Sequence, residues 1–176
     1  LKKLGKELGF KKNNTYLYGF VKNTYVMFAD GSNKKTVWFR FPEKPDDADK
    51  QKILSWQKKG YAKIINFLDD NSVDAEIIFT EYFIPYKVSK IKEVIEDIAN
   101  YISEKYPNSK VICVGDNCNS TEVNIYEIEE VPMLMCSSCA NRLQNEIENT
   151  YADENLLPNN YLIGFLFSAI FSIPGI

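Results

Sequence analysis

The chain contains no histidine. That absence removes the Ser-His-Asp triad, the Cys-His dyad, the His-ligated metal and the imidazole proton shuttle from what these residues can build alone. Glycine is sparse, and no glycine-rich loop matches the phosphate-cradling or dinucleotide patterns. Cysteine is missing from the whole chain except one short stretch, residues 113–139. Excess positive charge is missing too. A formal net charge of −3 and a pI of about 5.2 argue against a nucleic-acid binder held by bulk charge, and leave open only a local basic patch. There is no internal repeat and no low-complexity segment. What remains is ordinary: 176 residues, 45% apolar and 26% charged, the balance of a globular chain of about one domain.

Residues 1–14 form a basic N-terminal arm, with Lys2, Lys3, Lys6, Lys11 and Lys12 against Glu7. No secretory signal opens the chain, and a start on Leu1 with an apolar finish reads as a piece of something longer. Leu1, Leu4 and Leu8 fall at helical spacing and predict a short amphipathic helix. It reads first as a solvated helix docked on the domain, and second as a contact for an anionic membrane surface.

Residues 15–109 read as an α+β domain of order β-β-β-α-β-α. Residues 15–21 (TYLYGFV), 24–29 (TYVMFA) and 36–41 (TVWFRF) are rich in β-branched and aromatic side chains and predict an antiparallel β-meander. Lys22-Asn23 suits a two-residue turn in which Asn23 takes the positive φ. Val37, Phe39 and Phe41 share one face, Trp38 and Arg40 the other. Asp46, Asp47 or Asp49 can cap a helix whose apolar face runs through Ile53, Leu54, Tyr61, Ile64, Ile65 and Leu68, with Gly60 as a kink. The same acidic cluster is a weaker candidate for a cation. Residues 75–83 predict a fourth strand, and Val88, Ile91, Ile95, Ile98 and Ile102 mark the clearest helix. Helices on one face of the sheet are expected to bury Phe20, Phe28, Phe39, Ile78 and the isoleucine stripe. Tyr16, Tyr18, Phe20 and Tyr25 could line a ligand face, but such a stripe is more often core.

The four cysteines, Cys113, Cys118, Cys136 and Cys139, are spaced C-x4-C, seventeen residues, C-x2-C. An even number in one short stretch fits disulfides in a secreted chain or a metal in a reduced compartment, and a domain of this length needs no disulfide staple. Residues 110–114 predict a short strand running into a tight loop at Gly115. Residues 123–128 and 131–135 predict a hairpin around Glu129-Glu130. Cys139, Leu143, Ile147 and Tyr151 recur every four residues and place the second cysteine pair at a helix start. This succession over residues 110–154 resembles the treble-clef and zinc-ribbon modules, although their first loop is more often x2. The resemblance implies a structural Zn²⁺ ligated by Cys113, Cys118, Cys136 and Cys139.

Physical chemistry supports the same metal. Thiolates are soft ligands, and zinc takes four of them tetrahedrally in closed structural sites, which leave no open position for a catalytic water. The positive helix end, Lys110 and Arg142 are available to offset the negative charge of the complex. Competing readings are a CxxC thiol oxidoreductase and four ordinary buried cysteines. Glu127, Glu129 and Glu130 are candidates for acid–base work, but read more simply as a solvated turn.

No charge occurs after Glu154, and residues 161–173 (YLIGFLFSAIFSI) are apolar on every face. As a helix they span roughly 20 Å, short of the roughly 30 Å of a bilayer core. Gly164, Ser168 and Ser172 lie four apart, a spacing that lets membrane helices approach closely. The layout loosely resembles bacterial membrane proteins of unassigned role, on Cys136-x2-Cys139, Asn160-Tyr161 and the Gly/Ser-spaced run. Residues 155–176 are therefore expected to form an apolar helix, first as a membrane-associated segment (the start of a transmembrane span or a re-entrant piece) and second as a terminal core helix. The leading expectation is a non-enzymatic membrane-associated protein with a cytoplasmic α+β domain and a structural zinc. Loss of the zinc site is expected to unfold residues 110–154 without melting residues 15–109. A zinc ribbon that binds protein or nucleic acid is the alternative, less favoured because only Lys110 and Arg142 flank the cysteines.

Overall fold

The computed structural model describes residues 2–58, 64–67, 74–80 and 87–153. The elements are α1 (Lys2–Leu8), β1 (Lys11–Lys12), β2 (Tyr16–Val21), β3 (Thr24–Asp30), β4 (Lys34–Arg40), α2 (Asp47–Lys58), β5 (Ile64–Phe67), β6 (Asp74–Thr80), α3 (Val88–Lys105), β7 (Asn124–Ile128), β8 (Val131–Met135) and α4 (Ser137–Asp153). Six strands form one sheet in the order β1-β2-β3-β4-β6-β5, with every neighbouring pair antiparallel. The fold is mixed α+β, as the aromatic strands and the isoleucine stripe predict.

Alternation sorts the strands into two faces. Leu17, Val26, Phe28, Val37, Phe39, Ile65, Ala75, Ile77 and Phe79 point to one side. There they meet Leu4 of α1, Ile53 and Trp56 of α2, and Ile91, Val94, Ile95, Ile98 and Ile102 of α3. Each fully buried isoleucine of that stripe contributes about 1.5–3 kcal/mol relative to exposure. Phe20 departs from expectation: it is 42% exposed. Ile77, not Ile78, faces this core, because the register of β6 against β4 pairs Val37 with Ile77.

Two further expectations fail for reasons of period. The helix expected to run to Leu68 is α2 ending at Lys58, and Ile64–Phe67 is the edge strand β5, pairing Ile65 with Ile77. Tyr61, Ile64, Ile65 and Leu68 satisfy a helical spacing, but an Ile-Ile-Asn-Phe run also alternates, and the β-branched pair takes the strand. Residues 110–114 form no strand. They are tied to β8 by one bond, from the Val114 amide to the Leu134 carbonyl at 2.9 Å.

The start of α2 carries a reciprocal cap. Asp46 Oδ1 accepts from the Asp49 amide at 2.8 Å, and Asp49 Oδ2 accepts from the Asp46 amide at 3.1 Å. Asp49 is fully buried and also accepts from Lys105 Nζ at 2.6 Å, Tyr106 Oη at 2.6 Å and Tyr101 Oη at 2.8 Å. The acidic cluster is thus a helix start bolted to the end of α3 rather than a cation site. Burial pushes the Asp49 carboxyl up, but Lys105, the two tyrosines and the Asp46 amide outweigh it and hold it below its usual value.

The opposite face of the sheet is covered as well. Tyr18, Tyr25 and Met27 are buried there against Val111 and Leu134, with Tyr16, Trp38, Val114, Val123 and Ile125 packed around them. Strand β3 is therefore buried on both sides through Thr24–Phe28. The cover is the β7–β8 hairpin, whose tip is pinned to the sheet. Tyr25 Oη donates to the Pro132 carbonyl at 2.8 Å, Asn13 Nδ2 to the Glu130 carbonyl at 2.8 Å, and Tyr18 Oη to Glu127.

Candidate metal centre

The four cysteines reach one place from three local structures. Cys113 and Cys118 sit on a loop closed by bonds from the Cys113 amide to the Ser120 carbonyl at 2.9 Å and from the Cys118 amide to the Gly115 carbonyl at 3.1 Å. Asn117 takes the left-handed φ of 54° that lets the loop turn back, a conformation asparagine tolerates better than most residues. Cys136 follows β8 directly. Its carbonyl accepts from the Ala140 amide at 3.0 Å, so it occupies the cap position of α4, and Cys139 lies in the first turn. The hairpin carries the chain from the first pair to the second.

The four Sγ atoms lie within 4.8 Å of one another. Cys118 Sγ and Cys136 Sγ are 3.8 Å apart. A zinc with bonds of about 2.3 Å at tetrahedral angles sets its sulfurs about 3.8 Å apart, so the cluster has the dimensions of such a site. Cys113 and Cys139 are buried, while Cys118 and Cys136 are half-buried. All four are free thiols, arranged to hold a metal ion.

The surroundings suit thiolates. The Gly115 amide donates to Cys113 Sγ at 3.3 Å and the Cys136 amide to the same sulfur at 3.2 Å. A bond from the Cys139 backbone amide lowers the Cys136 thiol to about 7, helped by the neighbouring sulfurs. Cys139 moves the other way, to about 12, because Cys136 and the other sulfurs already hold the negative charge beside it. Four thiols in contact cannot all ionise without a cation among them. Backbone N–H groups at the sulfurs are as expected of the helix start. Arg142 reaches Glu146 at 3.9 Å.

Gly115 matters for the space that its missing side chain leaves. A β-carbon there would lie 2.6 Å from Cys139 Sγ and 2.9 Å from its Cβ. The residue is glycine because Cys139 packs against its Cα, not because the turn demands a left-handed φ. Sequence spacing identifies the cysteines and the helix start. It does not identify Val111, Val114 and Leu134, which join the cluster to the sheet, although the unbroken apolar run of β3 signals a second covered face. Among the acidic candidates, Glu127 accepts from Tyr18 and Glu129 from Tyr151, and with Glu130 all three lie exposed around the hairpin tip, as expected of a solvated turn.

No protein-family model matches the chain, and neither a curated protein nor a solved structure matches it.

Proposed function

We propose that this chain is a non-catalytic protein held together by a structural Zn²⁺ on Cys113, Cys118, Cys136 and Cys139, in a module of the treble-clef type. The observation that carries the reading is the convergence of the four sulfurs within 4.8 Å, with backbone amides aimed at them. Iron also accepts four thiolates in a tetrahedron. Zinc is preferred because the succession of cysteine loop, hairpin and helix resembles zinc modules, and zinc, unlike iron, brings no redox chemistry to a structural site. The succession of cysteine loop, hairpin and capped helix supports the treble-clef assignment.

Cobalt substitution tests it. Protein freed of metal and titrated with Co²⁺ is expected to develop the intense visible bands of a tetrahedral thiolate complex at one equivalent, and to lose them on adding Zn²⁺. Weak octahedral spectra, or unchanged bands in Cys113→Ser or Cys139→Ser, would remove the reading.

The proposed membrane association rests on residues 155–176, which lie outside the described residues, and on their apolar composition. Among the described residues no helix is long and apolar enough to cross a membrane. A full chain that stays in the aqueous phase with vesicles of mixed anionic composition would end that part of the proposal. A nucleic-acid role is disfavoured by charge: Glu127, Glu129 and Glu130 surround the hairpin tip, where a phosphate backbone would meet repulsion. Thiol exchange has one observation in its favour, the lowered Cys136 thiol. Rapid alkylation of Cys136 in the metal-loaded native protein would favour it over structure.

A further inference from the structure

We infer that the cysteine site is the latch of a movable cover: its metal holds the β7–β8 hairpin over the aromatic face of the sheet, and loss of the metal uncovers Tyr18, Tyr25, Met27 and Trp38 while the helix-backed core stays folded. This rests on the metal reading proposed above.

The hairpin is fixed at two ends by different means. Its tip is held by hydrogen bonds from Tyr25, Tyr18 and Asn13. Its base is held by the cysteines: Met135 leads straight into Cys136, and Val114, the neighbour of Cys113, donates to the Leu134 carbonyl. Leu134 is the side chain that fills the aromatic cluster, at 1% exposure. Val114 and Val123 touch both the cluster around the sulfurs and the cluster on the sheet. The position of Leu134 is therefore set two residues from a sulfur.

The module has little else to hold its shape. Among the described residues its own buried cluster is Cys113, Ile128, Met135, Cys139, Ala140 and Ile147. Two of these six are proposed ligands. A unit of this size, about 40 residues, is in the range where a metal or disulfide normally replaces a core. The opposite side of the sheet has the larger cluster, built from α1, α2, α3 and five strands, and among the described residues it shares no member with the cluster around the sulfurs. Metal loss therefore removes the support of one face only.

The two tryptophans report the two faces separately. Trp38 lies on the covered aromatic side, edge-on to Tyr16 with ring centroids 6.3 Å apart. Trp56 lies in the helix-backed core, edge-on to Tyr101. Trp56→Phe leaves Trp38 as the only indole, and Trp38→Phe leaves Trp56. Each full-length protein, loaded with zinc, is probed by acrylamide quenching before and after chelation, with metal content measured in parallel.

Chelation is expected to raise quenching of Trp38 severalfold, to leave Trp56 unchanged, and to be reversed by added Zn²⁺. Leu134→Ala is expected to raise Trp38 quenching with zinc still bound, because it weakens the cover and spares the latch. Zinc that is bound and then removed with no change at Trp38 would overturn the cover and leave the metal site standing. Parallel exposure of both tryptophans would overturn it too, by showing one cooperative unit. A chain that takes up no zinc would overturn both proposals.

Discussion

Gly115 shapes the cysteine cluster without contributing a sulfur to it. Its missing side chain is the space that Cys139 occupies. Gly115→Ala is expected to weaken zinc affinity by about 10–100-fold, the range seen when the supports of ligands are disturbed. Competition against a chromophoric chelator measures it, and an unchanged affinity would show that Cys139 has room to move. Asp49 is the corresponding residue in the helix-backed core. Asp49→Asn removes the charge that Lys105, Tyr101 and Tyr106 share and is expected to cost about 2–4 kcal/mol in urea unfolding. The pH dependence has a definite sign. The folded Asp49 carboxyl lies below its usual 3.8, so its contribution is full above that value and fades as pH falls through the lower, folded one. The gap in stability between wild type and Asp49→Asn is expected to narrow under acid, and a gap that widens would contradict the assignment. The spacing of the cysteines is legible in the sequence because ligand loops are local. The roles of Gly115 and Asp49 are not, because both are defined by residues distant in the chain.

Turns and edges decide which elements can be read from sequence. Helix α3 is legible because Ile91, Ile95, Ile98 and Ile102 fit no period but the helical one. Strand β5 is misread because a four-residue strand offers too few side chains to distinguish two periods. The β2–β3 turn falls where expected, but the positive φ of 55° lies on Lys22, and Asn23 is used otherwise: its side-chain amide donates to the Tyr106 carbonyl at 2.7 Å. A turn that also docks against a helix end obeys the helix as well as its own conformational preferences. In the β7–β8 hairpin, Glu129 and Glu130 have φ of 49° and 67°, both left-handed, where Asn-Gly is the favoured pair. Combining Glu129→Asn with Glu130→Gly relieves that strain and keeps the backbone carbonyl that Asn13 uses. A gain of about 1–2 kcal/mol is expected in thermal or urea unfolding of the zinc-loaded protein. A lower midpoint would mean that the bonds Glu129 and Glu130 make to Tyr151 and Asn14 outweigh the strain.

The described residues are organised around a sheet with two differently supported faces. Three helices cover one with an apolar core, and a hairpin flanked by the two cysteine pairs covers the other. Sequence patterning makes the first face legible, since β4 and β6 alternate cleanly toward it. The second is harder to see because its aromatic side chains read equally well as core or as a ligand surface, and their partners lie about 100 residues downstream. Leu134, buried among Tyr18, Tyr25 and Met27, joins the cysteine module to this second face, while the helix-backed cluster shares no residue with the cluster around the sulfurs. The most direct measurement of the central claim is zinc per chain on freshly purified native protein, with thiol titration before and after chelation. One zinc per chain is expected, with the four thiols protected until the chelator is added and all four reactive afterwards. Protein that carries no stoichiometric metal and shows four reactive thiols from the outset would contradict it.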